Sequence, residues 1–110
     1  MNRQVIYSQE YLEFEQKQNG RTQEKLKYAT RILQTVMPLP TKFVKKIVNS
    51  DFYELRLSVD NEIRVIIFAL DNDNINLASK IVFLNGFIKK STNDYQKEIE
   101  KAINILKKVL

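Results

Sequence analysis

The sequence predicts an α+β fold in the order βααβββα: a small, mostly antiparallel sheet, an N-terminal helical hairpin and a C-terminal helix, with the helices to one side of the sheet. Three observations carry this. Phe52–Val59 alternates, with Leu55, Leu57 and Val59 on one face and Glu54, Arg56 and Ser58 on the other, which is strand periodicity. Ile63–Leu70 is apolar throughout except for Arg64, as a central strand buried on both faces is. Two stretches of helical character precede these strands, and a third follows them.

From the N-terminus, Arg3–Tyr7 is a short strand and Ser8 a helix N-cap. The first helix runs through Tyr11, Leu12 and Phe14 to Gly20, read as its stop. The second spans Arg21 to Val36, with Leu26, Ala29, Leu33 and Val36 on one face, and ends before Pro38 and Pro40. The short link makes the pair an antiparallel hairpin, and its Arg21, Lys25, Lys27 and Arg31 read as a solvated face. KFVKKIVNSD after Pro40 reads as strand or loop alike. Asp60-Asn61 signals a hairpin, and symmetric pairing about it sets Arg56 opposite Val65. Asp71–Asn76 turns the chain into a third long strand, Ala78–Lys89, whose Gly86 marks a bulge or a close approach. Asp94 would cap the last helix, whose stripe is Ile99, Ala102, Ile103, Leu106, Val109 and Leu110.

At 110 residues, 44% apolar and 28% charged, the chain is expected to be one globular domain, residues 1–110. No apolar run approaches the eighteen or so residues of a membrane span, and the N-terminus lacks a signal-type apolar core, so a cytoplasmic address is expected. Without cysteine or histidine, thiolate chemistry, Cys/His zinc sites and Ser-His-Asp triads are excluded. No carboxylate cluster has metal-ligand spacing, so no cofactor is expected. DNDN at Asp71–Asn74 is superficially a calcium loop, but Asn76 and Val82 stand where the glycine and glutamate are needed.

The net charge of +5 favours anionic partners. Residues 1–50 hold nine Lys/Arg against four Asp/Glu and residues 51–110 nine of each, so the placement of cations matters more than their total. Arg56 and Arg64 lie on strands joined by a tight turn, Lys89 and Lys90 end the third strand, and Tyr95 opens the last helix. A short strand-to-helix loop gathers them at one sheet edge. Cations and one phenol suit a polyphosphate ligand, RNA above others. Arginine holds a phosphate and stabilises the extra charge of a phosphorane transition state. Clustered cations would lower the pKa of Tyr95 and of Lys89, making either a conceivable base. Each residue has a plainer role too. Arg56 would pair with Glu54 or Glu62, Lys89-Lys90 would be a solubility feature, and Tyr95 would be a packing residue. Arg64 in so apolar a strand needs a partner or a purpose.

FYELRL at 52–57, EIRVIIF at 62–68 and NGFIKKSTNDYQKEIEKA at 85–102 resemble bacterial type II toxins of the RelE/ParE superfamily, the last segment resembling the tail of the HigB-like branch. With the helical hairpin, the resemblance spans nearly the whole chain. It implies a compact, twisted, mainly antiparallel RelE-like sheet and, in many members, metal-free cutting of mRNA in the ribosomal A site. It implies that Arg56, Arg64, Lys89 and Tyr95 are the catalytic group, with Lys45, Lys46 and Lys90 as auxiliary RNA contacts. Two positions depart from the pattern: Glu54 stands where some relatives carry a basic residue, and Tyr95 where HigB-like tails often have proline. The resemblance also implies a cognate antitoxin, often a helix-turn-helix protein, with an acidic segment over the basic face. DNA would be met only through that complex. Two alternatives accompany the ribosome-dependent nuclease: a ParE-like gyrase poison, and a degenerate toxin kept as an antitoxin-binding subunit.

Overall fold

The computed structural model describes residues 2–110. The chain runs β1 (Gln4–Tyr7), α1 (Gln9–Gln16), α2 (Gly20–Thr35), β2 (Val44–Lys46), β3 (Tyr53–Val59), β4 (Asn61–Ala69), β5 (Lys80–Ile88) and α3 (Asp94–Val109). The sheet order is β1-β5-β4-β3-β2, antiparallel except for β1 alongside β5. The α+β class is as predicted, with one strand more: the basic connector after Pro40 supplies the edge strand β2. No helix among the described residues is long and apolar enough to cross a membrane.

The helices do not share one side. Tyr11, Leu26, Ala29 and Leu33 of the hairpin pack with Leu55, Leu57, Ile63, Val65 and Ile67 on one face of the sheet. Ala102 and Ile105 of α3 pack with Ile66, Val82, Leu84 and Phe87 on the other. A central strand that is apolar on both faces requires cover on both, and α3 provides the second layer. The apolar stripe of α3 is correspondingly rotated. Ala102 and Ile105 are buried and Ile99 and Leu106 half-buried, whereas Ile103, Val109 and Leu110 are exposed.

Ser8 caps α1 as predicted, its Oγ accepting from the Tyr11 N–H at 2.9 Å. Gly20 is not a stop but the first residue of α2, because Asn19 caps that helix through the Thr22 N–H at 2.9 Å. Val36 has left the helix for extended backbone. The fully buried Arg3 holds this end in place. Its Nη1 donates to the carbonyls of Leu33 (2.9 Å) and Val36 (2.8 Å), and its Nη2 donates to that of Asn76 (2.9 Å). The first two are the unsatisfied carbonyls that the C-terminus of α2 offers a cation, and the third ties that end to the turn before β5.

Two local features set the site. At the hairpin, Asp60 and not Asn61 adopts the left-handed conformation (φ 61°), so β3 and β4 pair one residue away from the symmetric expectation: Arg56 faces Arg64, not Val65. In β5, Leu84 is an extra residue between Phe83, opposite Ile67, and Asn85, opposite Ile66. This bulge shifts the alternation, so that Phe87 joins Val82 and Leu84 beneath α3. Asn85 ties the bulge to α3, its Nδ2 donating to the Glu98 carbonyl at 3.1 Å. Gly86 is a close approach: an added Cβ would lie 2.3 Å from Cδ2 of Phe14.

Candidate functional site

Because Arg56 and Arg64 are direct cross-strand partners on the α3 face, their like charges need a counter-charge. Glu54 supplies it. Two residues before Arg56 on the same strand, it shares that face, and its side chain is only 8% exposed. Its Oε1 lies 3.2 Å from Arg56 Nε and 3.5 Å from Arg64 Nε, and it accepts from the Tyr95 hydroxyl at 3.1 Å. All these contacts fall on Oε1; Oε2 has no partner among the described residues and is not sealed from solvent.

Arg64 lies beneath the site, 3% exposed. Nε donates to Tyr95 Oη (3.1 Å), Nη1 to the Ile63 carbonyl (3.0 Å) and Nη2 to Glu62 Oε1 (3.3 Å). Every nitrogen of this guanidinium is engaged within the chain. Arg56 differs: its side chain is one-third exposed and only Nε is committed, to Glu54, leaving the two terminal nitrogens as an open fork.

Tyr95, the second residue of α3, is half-buried with its ring edge-on to Phe87 at 5.5 Å between centroids. Asp94 reaches back to accept from the N–H groups of Lys90 (2.8 Å) and Ser91 (3.0 Å), instead of capping the helix, and this fixes the loop that delivers Tyr95. The Lys89 N–H donates to the Glu62 carbonyl at 2.7 Å, and its ammonium lies 5.6 Å from the centre of the Tyr95 ring.

These groups floor an open cleft of about 830 Å³ between β2 and the first half of α3, lined among others by Lys45, Lys46, Glu54, Arg56, Lys89 and Tyr95. Lys45 pairs with Glu54 across the ladder and so shares its face. Lys46 also lines the cleft, but its ammonium donates to the Ser50 carbonyl (2.6 Å) and lies 5.9 Å from the Tyr53 ring centre. Arg64 and Lys90 are not in the lining. The structure thus gathers Arg56, Lys89, Tyr95 and Lys45 around the cleft, sets Arg64 below it, and leaves Lys90 outside. Glu54, read in the sequence as a departure from the family pattern and a pairing partner of Arg56, is its hub. Its spacing of two from Arg56 on an alternating strand was the available signal.

Burial raises the Tyr95 phenol above the ordinary tyrosine range, opposed by the Arg64 hydrogen bond and reinforced by Glu54. This is the reverse of the lowering expected from clustered cations, because burial outweighs the Arg64 hydrogen bond and the carboxylate that both arginines share adds to it. The unfolded chain therefore ionises this phenol first. The stability tied to keeping it neutral is whole below about pH 10 and is lost as the pH rises through the folded value. In urea unfolding across that range, Tyr95→Phe is expected to lose stability less steeply than the wild type; equal slopes would refute the assignment.

Residues 13–107 match the model of a family described as phage-derived protein Gp49-like (DUF891). Among solved structures, the chain is similar to a double arginine-to-alanine mutant of the E. coli toxin RelE in the free state. The TM-score is 0.66 at 13% identity, over 92% of this chain and 98% of that one. At this identity the likeness is one of fold. No curated protein matches the chain in sequence.

Proposed function

As this chain belongs to the phage-derived Gp49-like family and has the RelE fold, we propose that it is the toxin of a type II toxin–antitoxin system and a ribosome-dependent mRNA endoribonuclease of the cytoplasm. The HigB-like tail from Asn85 to Ala102 supports that branch of the superfamily. The observation that carries the proposal is the Glu54–Tyr95 pair on the cleft floor, flanked by the free fork of Arg56 and by Lys45 and Lys89.

The reaction needs only side chains. Glu54 Oε2 takes the proton of a ribose 2′-hydroxyl, O2′ bonds to the adjacent phosphorus, and the bond from phosphorus to O5′ breaks. The products are a 2′,3′-cyclic phosphate and a 5′-hydroxyl. The Arg56 fork and Lys45 meet the non-bridging oxygens, where charge grows in the transition state. The Lys89 ammonium gives its proton to the departing O5′. Tyr95 stays neutral and holds Glu54, and the burial of Arg64 supports a positioning role, not a phosphate clamp. The ribosome supplies the alignment of 2′-oxygen and phosphorus that a free, flexible RNA lacks. An antitoxin with an acidic segment would silence the cleft by occupying the same cations, and the pair would contact DNA together.

The test is inducible expression with primer extension on a reporter mRNA, comparing the wild type with Arg56→Ala, a partly exposed residue whose removal spares the core. Discrete cuts in the wild type, reduced about 10²-fold or more in the variant, are the expected result. Growth arrest with intact mRNA would turn the reading to a gyrase poison. An absence of arrest would turn it to a degenerate, antitoxin-binding subunit.

A further inference from the structure

We infer that the RNA path does not end at the cleft but continues over the sheet edge, where Phe43 and Tyr28 stack bases and Lys42 and Lys25 meet phosphates. This rests on the reading of the cleft as an RNA site and extends it to the neighbouring nucleotides.

The edge has a gap. β2 pairs with β3 only from Tyr53 to Leu55, so Arg56–Val59 has no strand neighbour on that side. Where the pairing stops, the Arg56 N–H donates to the Phe43 carbonyl at 2.7 Å. Arg56 therefore stands at a divide. It lines the cleft and also a second groove, of about 340 Å³, with Lys25, Lys42 and Phe43. Lys25 in turn lines a third depression that includes Tyr28. The three concavities form one track from the α3 face around the open edge to α2.

The chemistry of the track fits single-stranded RNA. The Lys42 ammonium lies 5.3 Å from the Phe43 ring centre, and Phe43 meets Tyr28 edge-on at 6.4 Å. Tyr28 is 49% exposed, a large aromatic surface with no core to fill. Lys25 and Lys42 take part in none of the ion pairs among the described residues. Of the carboxylates lining the track, Asp60 pairs with Arg21 and Glu62 with Arg64 and Ser58, while Glu24, in the third depression, is in none of the ion pairs among the described residues. Rings interleaved with unpaired cations suit bases and phosphates in succession, because every base has a face to stack and every linkage a charge. An acidic peptide would use the lysines but not the rings.

The test uses fluorescently labelled 2′-O-methyl oligonucleotides, which cannot be cleaved, of about four and about ten nucleotides, within the span of known single-strand sites. Binding by anisotropy is compared for the wild type, Tyr28→Ala, Phe43→Leu (which keeps an apolar side chain against the core) and Lys25→Gln/Lys42→Gln. The longer oligonucleotide should bind more tightly to the wild type. Each ring variant should lose roughly tenfold of that affinity, and each lysine removed should flatten the salt dependence by about 0.7 of a log unit per log unit. Cleavage on the ribosome is measured in parallel. If the wild type cleaves mRNA but the ring variants bind and cut as it does, the track is wrong and the cleft reading stands. If a polyglutamate peptide binds in place of RNA and only the Lys25→Gln/Lys42→Gln variant loses it, the groove is a peptide site and the inference is overturned. If the wild type neither binds nor cuts RNA, both readings fall.

Discussion

Arg64→Met will cost the fold about 3–5 kcal/mol, the loss that follows when one member of a buried ion pair is removed and the other stays charged. Glu54 and Arg64 are 8% and 3% exposed in their side chains, so little water reaches the place the guanidinium vacates, and Glu54 Oε1 keeps only Arg56 as its cation. The variant also leaves the Ile63 carbonyl without the Nη1 donor and removes one of the two hydrogen bonds that hold the Tyr95 hydroxyl. Urea unfolding measures the loss. The double variant Arg64→Met/Glu54→Leu should recover much of it, since replacing both members of a buried pair by apolar groups is often neutral. Arg56→Ala, at a one-third-exposed side chain that shares the same carboxylate, should cost at most about 1 kcal/mol. A loss below about 1 kcal/mol for Arg64→Met would show that the guanidinium is solvated, and its role as the buried support of the site would fail.

That contrast between two arginines was only half legible in the sequence. The alternation of Phe52–Val59 placed Glu54 and Arg56 on one face, and the apolar run around Arg64 announced a buried charge in need of a partner. Which residues met across the hairpin was not legible. Asp60-Asn61 is compatible with more than one turn, and the left-handed Asp60 decided the register by one residue. Once Arg56 faces Arg64, a carboxylate on the same face is a requirement, and Glu54 changes from an anomaly into the centre of the site. The location of α3 was legible in principle. Ile63–Leu70 is apolar at successive positions, a pattern that one layer of helices cannot cover. The placing of Leu84 as an extra residue was not, because nothing in IVFLNGF distinguishes a bulge at Leu84 from one at Gly86. Arg3 read as the first residue of a short strand, yet it is fully buried. Its carbonyl partners at Leu33, Val36 and Asn76 come from distant segments that only the fold brings together.

Glu54→Gln should slow cleavage on the ribosome by about 10²–10⁴-fold, the span that a positioned general base contributes. The amide keeps an acceptor oxygen for Tyr95 and the two arginines, so the geometry of the floor is largely retained while the capacity to take a proton is lost. Tyr95→Phe should slow the reaction far less, roughly tenfold, because it loosens the carboxylate without removing it. A slowed variant alone does not separate base from scaffold, since any disturbance of the floor lowers the rate. The leaving group makes the separation. An mRNA analogue with sulfur in place of the bridging O5′ at the cut site departs as a thiolate and needs no proton from the enzyme. It should restore Lys89→Ala to near wild-type rate, because the acid is no longer required, and leave Glu54→Gln slow, because the 2′-hydroxyl must still lose its proton. Rescue of Glu54→Gln with no rescue of Lys89→Ala would exchange the two roles. Rescue of neither would return both residues to binding, with the ribosome supplying the proton transfers. The arrangement favours the first outcome: Glu54 Oε2 has no intrachain partner among the described residues, whereas the Tyr95 hydroxyl both accepts from Arg64 and donates to Glu54.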